Sequence, residues 1–337
     1  MAKKPLFIGS IALLLFGLIA PSSLARATNP PKIAVLYDLG GRGDHSINDS
    51  SAIGVDAAKK KFAIDPLDIR EMVSDGSELD RLHRLRFLVQ ANYSLIIAVG
   101  SAYEKAVRIV STENPTVQFA ILDDAAIPSL SVQSMNFDSQ QSAFLAGVIA
   151  ASASKVGKVG FIQQSAAPRD IAAFTRGVKF VNPKAAIFTE LPLEPNPDNE
   201  MDQLYTDGID VLYSTWESTN DVVTSLDSLN RPSHTVKLIG VLPDQYFLQS
   251  PPAKKILIAT INKAFNKAAY DAIASGLSGI TYSEVFGDAV AFGHDYTLAN
   301  QGIGATLTAL GAKSANSVKA LSAAKSALLS GRVKFQP

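Results

Sequence analysis

The chain has 337 residues, of which 47% are hydrophobic and 18% charged, as in globular proteins large enough for two domains. Its 31 basic residues balance 31 acidic ones without any dense basic run, which argues against a nucleic-acid partner. The absence of cysteine excludes disulfides, zinc ribbons, iron–sulfur clusters and thiol nucleophiles. Its 4 histidines are too scattered for a metal-ligand motif, so no metal centre is expected, and an all-carboxylate site is the alternative left open.

The N-terminus predicts export. Lys3 and Lys4 precede an apolar run from Leu6 to Ala20, and Ala25-Arg26-Ala27 has the small-residue pattern of a cleavage site. The run is shorter than the roughly 20 residues that a membrane-spanning helix needs, so an uncleaved anchor is the less favoured alternative. We therefore predict that residues 1–27 are a cleavable signal peptide.

After this segment, short β-branched runs alternate with longer helical patterns, which is typical of a doubly wound parallel sheet. A residue that precedes proline avoids the helical region, so Asn114-Pro115 ends the third helix. The predicted strands are Lys32–Tyr37, Leu67–Val73, Leu95–Val99 and Val117–Leu122, and the predicted helices are Ile47–Phe62, Leu79–Tyr93 and Ser101–Glu113.

The strand–helix pattern restarts near residue 138, which predicts two similar α/β lobes with a cleft between them. Ligands of open α/β sheets bind beyond the carboxyl ends of the strands, so the residues that follow each strand are the candidates for a site. Pro192–Asp198 is predicted to be a surface loop. The second series is Val132–Phe137, Gln141–Ala153, Gly157–Gln163, Ile171–Phe180, Ala185–Leu191, Met201–Tyr205, Val211–Ser214, Asp221–Leu229 and Val236–Val241.

A glycine-rich loop from Gly40 to Ser46 joins the first strand to the first helix. Such a loop exposes N–H groups to a polar or anionic ligand. Gly41–Ser46 approaches the dinucleotide fingerprint, which keeps an NAD(P)-dependent oxidoreductase as an alternative function. Two features oppose it: Ser46 replaces the third glycine, and Asp38 would repel a pyrophosphate. A purely structural turn with Ser46 as helix N-cap is a further interpretation.

Three other residues near strand ends are candidates for ligand contacts. Asp123 closes the fourth strand, where a carboxylate can accept hydroxyl groups, although a solvated turn explains it equally well. Trp216, the only tryptophan, follows the strand Val211–Ser214 and is either a stacking platform or a rim aromatic between the lobes. Lys263 is predicted to start a helix after the strand Ile256–Ile261. No nucleophile or base orienter accompanies the carboxylates, so no catalytic residue is predicted.

Several weak motifs follow one another in an order that is more specific than any of them alone. They are Asp38 with its glycine loop and Ile47-Asn48, Phe119–Asp123, Ala143–Ala151, Gly157–Ile162, Ile239–Val241 with Asp244-Gln245, and Leu329–Val333. Together they resemble the basic membrane protein family of ABC-transporter solute-binding proteins, to which purine nucleoside receptor lipoproteins belong.

The resemblance implies an α/β type I periplasmic-binding-protein fold, with two Rossmann-like lobes and the ligand held in the cleft between them. It places residues 28–137 and about 259–285 in the N-terminal lobe, and residues 138–258 and about 286–337 in the C-terminal lobe. It also implies that Asp38, Asn48 and Asp123 are polar ligand contacts of the first lobe. Lys263 matches the lysine of a family segment, here Thr260–Lys263.

The sequence departs from the family at the positions that hold a nucleoside. Ile47 stands where the family has a phenylalanine that stacks on the purine, and Leu242 stands where it has an aspartate for the ribose. Trp216 replaces a family glycine and offers another aromatic surface. We therefore expect a remodelled pocket for a small, polar, ring-containing ligand of nucleoside or purine-like type.

The resemblance thus predicts a monomeric solute-binding protein that delivers its ligand to an ABC permease of the inner membrane, without a cofactor. A ligand-sensing domain that reports to a membrane partner is the alternative in the same fold. Members of the family are typically anchored through a cysteine, and this chain has Ala27-Thr28 at that place. A free periplasmic protein without a lipid anchor is therefore expected.

Overall fold

The described part of the chain forms two six-stranded sheets, each with helices on both faces. The computed structural model describes residues 31–124, 127–163, 165–191, 197–216, 219–242, 250–278 and 293–335. The predicted signal peptide, residues 1–27, lies outside these ranges, as do residues 192–196 of the predicted loop. Among the helices of the described ranges, none is both long and apolar enough to cross a membrane.

The first half of the described chain alternates strands and helices as predicted, with ends that shift by a few residues. Ser77 starts the second helix as an N-cap, its side chain accepting a hydrogen bond from the Asp80 N–H at 3.1 Å. The elements are β1 (Ile33–Tyr37), α1 (Ile47–Phe62), β2 (Ile69–Val73), α2 (Glu78–Gln90), β3 (Leu95–Val99), α3 (Glu104–Glu113), β4 (Gln118–Leu122) and β5 (Val132–Phe137).

The second half repeats this alternation and then returns to the first sheet. Asp138 caps its first helix by accepting from the Gln141 N–H at 2.8 Å. The elements are α4 (Ser139–Ala153), β6 (Lys158–Ile162), α5 (Pro168–Val181), β7 (Ala186–Glu190), α6 (Asp198–Thr206), β8 (Val211–Ser214), α7 (Thr219–Leu229), β9 (Lys237–Leu242), α8 (Pro251–Ile256), β10 (Leu257–Lys263), α9 (Phe265–Ser278), β11 (Gly293–Tyr296), β12 (Ile303–Leu307) and α10 (Ala315–Leu329).

The strand order of the first sheet is β11-β5-β4-β3-β1-β2, and all of its pairs are parallel. The second sheet has the order β12-β10-β9-β8-β6-β7, and of these described strands only β12 runs antiparallel to its neighbour. The central strands β1 and β3 are fully buried, as parallel strands covered by helices on both faces must be. The α/β fold class with two parallel-dominated sheets is therefore confirmed.

Sheet membership differs in two places from the expected lobe boundaries. The strand β10, expected to join the N-terminal lobe from about residue 259, pairs with β9 and β12 in the second sheet. The strand β11 pairs with β5 in the first sheet, although residues from about 286 were expected in the C-terminal lobe. The helix α9 packs on α1 and on the first sheet. Within the described residues, the chain passes between the sheets after β5, after β10 and after β11.

Lys263 is the last residue of β10 and does not start a helix as predicted, because its backbone pairs with Ile303 of β12. The strand continues two residues beyond the expected end at Ile261, and the next helix begins at Phe265. This extension places Lys263 at the carboxyl end of β10 in the second sheet. From this point the chain continues through α9 to β11 of the first sheet.

The helices α4 and α5 cross at a pair of glycines. A Cβ atom at Gly147 would lie 2.2 Å from the Phe174 carbonyl oxygen, and a Cβ atom at Gly177 would lie 2.1 Å from the Phe144 carbonyl oxygen. Both distances are well inside van der Waals contact, so only glycine allows the two backbones to approach this closely. This contact lies in the core cluster that covers one face of each sheet.

Candidate functional site

An ion pair joins the carboxyl ends of the two sheets. The Lys263 Nζ atom donates to both carboxylate oxygens of Asp123, at 2.9 and 2.7 Å. Asp123 directly follows β4 of the first sheet, and its φ of 66° lies in the left-handed region. The two side chains are 21% and 27% exposed, so they are accessible from solvent. The structure thus brings together two of the predicted ligand contacts from positions 140 residues apart.

Further polar and aromatic groups surround Lys263, and sequence reasoning missed them. The Phe137 ring centroid lies 5.9 Å from the Lys263 Nζ atom. Asp170, near the start of α5, accepts a hydrogen bond from the Ser139 hydroxyl at 2.7 Å and interacts electrostatically with Lys263. Phe137 ends β5 and Ser139 begins α4, so the rule that sites follow strand ends could have found both.

Burial changes the pKa values of two acidic residues near Lys263, Asp138 and Asp170. Burial raises the pKa of Asp170, while the Ser139 hydrogen bond and the charge of Lys263 oppose that effect. Burial also raises the pKa of Asp138, whose carboxylate caps α4 and is therefore occupied by the helix N-terminus. Lys263 consequently lies among carboxylates from both halves of the molecule, with Asp123 as its direct partner.

At the carboxyl end of β1, Asp38 forms a second ion pair, with Arg81 of α2. The Arg81 Nε and Nη2 atoms donate to Asp38 Oδ1 at 3.1 and 2.9 Å, and Nη2 also donates to Oδ2 at 2.9 Å. The two side chains are 12% and 14% exposed. Both oxygens of Asp38 are therefore engaged within the protein. Arg81 had not been predicted as a site residue, and no local pattern marks it.

Asn48 is buried and bonded to the loop that follows β1. Its Oδ1 atom accepts from the Asp38 N–H at 3.1 Å, and its Nδ2 atom donates to the carbonyl oxygens of Asp38 and Leu39, both at 3.3 Å. Both donors of this amide group are thus used by the backbone. In this structure Asn48 holds the loop in place.

The glycine-rich loop is closed by carboxylates at the positions where a pyrophosphate would bind. Asp44 accepts from the N–H groups of Ser46, Asn48 and Asp49, and Asp49 accepts from those of Gly43 and His45. The Ser46 side chain makes no capping hydrogen bond, so Asp44 replaces it as the group that satisfies the helix N-terminus. The donors of a phosphate cradle are therefore already occupied.

A charged cluster fixes the outer side of this loop. Arg42 binds Asp56 through two hydrogen bonds of 2.8 Å and donates from Nε to Glu71 at 2.7 Å. Glu71 also accepts from Lys59 and from the Tyr37 hydroxyl. Although burial opposes ionisation of Glu71, these hydrogen bonds outweigh it and hold its pKa below the ordinary value.

The remaining predicted residues lie on apolar surfaces. Ile47 is partly buried against the core, and its Cδ1 atom would lie 3.3 Å from a Cβ atom at Gly100, the residue after β3. Trp216 is partly buried in a different cluster, on the face of the second sheet that α6, α7 and α8 cover. The backbone of Leu242 pairs with Asn262, and the Leu242 side chain lies outside the described residues.

A separate cavity of about 180 Å³ opens at the carboxyl ends of β6 and β7. Gln163, Pro168, Ile171 and Glu190 are among its lining residues. Within the ranges that the structure describes, no group of three or more His, Asp or Glu side chains is arranged to hold a metal ion.

The comparisons with known proteins agree with this architecture. Residues 31–286 match the Bmp family model, described as the PnrA-like ABC transporter substrate-binding protein. A Listeria monocytogenes protein named CD4+ T-cell-stimulating antigen is 32% identical over 225 residues, which are 64% of this chain and 63% of that protein. The matched region thus spans less than two thirds of that relative. The nucleoside-binding protein BmpA of a Lactococcus lactis ABC transporter is 25% identical over 78% of this chain and 82% of its own length.

Among solved structures, a solute-binding protein of an Aeropyrum pernix ABC transporter system superposes with a TM-score of 0.71 at 20% identity, covering 91% of this chain and 93% of that one. A Conexibacter woesei ABC solute-binding protein gives a TM-score of 0.64 at 19% identity, over 91% of this chain and 98% of that one. These superpositions show that the chain has a type I periplasmic-binding-protein fold. The family match covers most of the chain, which therefore belongs to the Bmp family of PnrA-like ABC transporter substrate-binding proteins.

Proposed function

We propose that this chain is the exported, monomeric substrate-binding component of an ABC importer, and that it binds a small polar ligand with a ring between its two lobes. Its family consists of substrate-binding proteins and not of enzymes, so the interpretation as an NAD(P)-dependent oxidoreductase is wrong. A nucleoside or a purine-like compound is the proposed class, since a relative that matches 78% of this chain is named as nucleoside-binding.

The Asp123–Lys263 pair carries this proposal. It joins a strand end of one sheet to a strand end of the other, so a ligand that touches both residues contacts both lobes. Ligands that bridge two lobes stabilise the closed arrangement over the open one, which is how a binding protein signals occupancy. The acid and the amine offer an acceptor and donors, as sugar hydroxyls and ring nitrogens require.

The dimensions of the first-lobe surface suit such a ligand. Asp38 follows β1 and Asp123 follows β4, with β3 between them. Two strand spacings separate these ends by about 10 Å, which is comparable with the length of a nucleoside. Gly100 and Ile47 lie between the two ion pairs and supply an apolar surface in place of a stacking ring.

Delivery to a permease from the periplasm, without a lipid anchor, is part of the same proposal. It rests on the family and on the predicted signal peptide in a chain without cysteine. Fractionation of the native host, with detection of the mature protein in the periplasmic extract and not in the membrane fraction, tests this location.

Ligand binding is tested by differential scanning fluorimetry with a panel of nucleosides, nucleobases and other small ring metabolites, followed by calorimetric titration. A true ligand at 100 times its Kd stabilises the folded protein by about 2.7 kcal/mol and raises Tm accordingly. Lys263→Met should abolish this increase, because it removes the bridging cation. Lys319→Met, the same change on an exposed face of α10, is the matched control and should keep it. The proposal fails if no compound stabilises the wild-type protein, or if both variants respond alike.

A further inference from the structure

Arg81 decides what the carboxyl end of β1 can offer to a ligand. Its Nε and Nη2 atoms make three hydrogen bonds to the two oxygens of Asp38, at 2.9 to 3.1 Å. A guanidinium group has five N–H donors on three nitrogens, and these bonds come from Nε and Nη2 alone. Among the described residues, the Nη1 atom of Arg81 makes no hydrogen bond, so its two donors stay available.

The Arg81 guanidinium group also contacts the ring of Tyr103. Its Cζ atom lies 5.6 Å from the centroid of the Tyr103 ring, in a cation–π contact. Tyr103 is itself fully buried and donates from its hydroxyl to the Tyr37 carbonyl oxygen at 2.9 Å. A carboxylate and a buried ring thus fix one orientation of Arg81, and the planar guanidinium loses little further freedom when it binds an acceptor.

The polar side chains next to Arg81, Asp38 and Asn48, are already hydrogen-bonded within the protein. Asp38 has both oxygens engaged by Arg81, and Asn48 has both of its amide hydrogens engaged by backbone carbonyls. A ligand amino group placed here would find only oxygens that already accept hydrogen bonds from the protein, and it would face a positive charge. A ligand oxygen would find the Nη1 donors of a permanently charged group.

We propose that Arg81 is a specificity-determining residue, and that the ligand presents an oxo or carboxylate oxygen to its Nη1 atom. This inference rests on the proposed function and narrows it to ring compounds of the hypoxanthine, guanine or uracil type, with adenine and cytosine types disfavoured. At the carboxyl end of β1, a lone Asp38 would offer a ligand a hydrogen-bond acceptor. The Asp38–Arg81 pair offers the Nη1 donors of Arg81 instead.

The test uses two pairs of ligands that differ at one group, inosine with adenosine and uridine with cytidine, in calorimetric titrations. The wild-type protein should bind the oxo member of at least one pair about tenfold or more tightly, as is typical of a hydrogen bond to a charged group. Arg81→Met exposes the Asp38 carboxylate and should reverse this preference. Arg84→Met is the matched control, because Arg84 lies on the same helix and binds Asp80 at 2.5 Å, and it should leave the preference unchanged.

A second variant covers the case in which Arg81→Met fails to fold because Asp38 has lost its partner. Asp38→Asn/Arg81→Met leaves no unpaired charge, and its affinities for the two members of a pair should become equal within about threefold. Circular dichroism checks the fold of each variant. The role of Arg81 is refuted, and the proposed function is not, by either of two results. One is a wild-type protein that binds the amino member of each pair as tightly as the oxo member or more tightly; the other is a preference for the oxo member that persists in both folded variants. If no nucleoside or ring compound of the wider panel binds, the proposed function fails and this inference fails with it.

Discussion

The Asp124 side chain provides a direct test of how burial controls charge in this fold. The residue is 6% exposed, and its Oδ1 atom has no hydrogen-bond partner among the residues that the structure describes. Burial raises the pKa of Asp124 to about 7, with a further contribution from the negative charge of Glu104, while Arg108 acts in the opposite direction. The carboxyl group is therefore protonated in the folded protein at pH values where it is ionised in the unfolded chain.

The size and sign of the effect follow from the two pKa values. The ordinary value is 3.8 and the folded value is about 7, and each pKa unit corresponds to 1.36 kcal/mol, so the full effect is about 4 kcal/mol. Below pH 3.8 the group is protonated in both states and contributes no difference. Between pH 4 and 7 the unfolded state releases the proton first, so the free energy of unfolding falls as the pH rises.

Asp124→Asn removes the ionisation and nearly preserves the shape. We expect its free energy of unfolding to equal that of the wild-type protein near pH 4 and to exceed it by up to about 4 kcal/mol at pH 8. Urea denaturation followed by circular dichroism at half-unit pH intervals measures the difference. Asp227→Asn, at an exposed position on α7, controls for the loss of one negative charge. Parallel curves for the wild-type protein and Asp124→Asn would refute the assignment of a buried, protonated carboxyl.

Three other outcomes follow from the packing and the ion pairs. A double-mutant cycle with Asp123→Asn and Lys263→Met, measured by urea denaturation without ligand, should give a coupling energy of about 1 kcal/mol, and a value near zero would mean that the pair is not formed in solution. Gly177→Ala should lower the free energy of unfolding by about 1–3 kcal/mol, since its Cβ atom would meet backbone. Gly304→Ala, whose Cβ atom would meet no atom of the described residues within 4 Å, should cost clearly less, and equal costs would contradict the close helix contact. Glu71 has a lowered pKa, so its stabilising effect is present above its ordinary pKa of 4.5 and is lost as the pH falls. Glu71→Gln should therefore flatten the acid side of the Tm profile, and an unchanged acid side would exclude this role.

Much of the fold could be predicted from local sequence patterns. Alternation of β-branched strands with amphipathic helices depends on residues within a few positions of one another, so the elements and the restart near residue 138 were visible. The placement of β10 and β11 was not, because the sheet that a buried strand joins depends on partners far away in the chain. The extension of β10 to Lys263 has the same origin, since it requires pairing with β12.

In the candidate site, too, some features follow from local sequence and others depend on distant partners. The sequence by itself determined which polar residues follow the strands, and hence that Asp38, Asp123 and their neighbours lie at one edge of the first sheet. Only the tertiary structure decided their partners: Arg81 lies 43 residues from Asp38, and Lys263 lies 140 residues from Asp123. A hydrogen bond acts over about 3 Å, and periodicity in a sequence carries no information on which distant side chain comes within that range. The roles of these residues toward a ligand therefore stay predictions that the binding experiments decide.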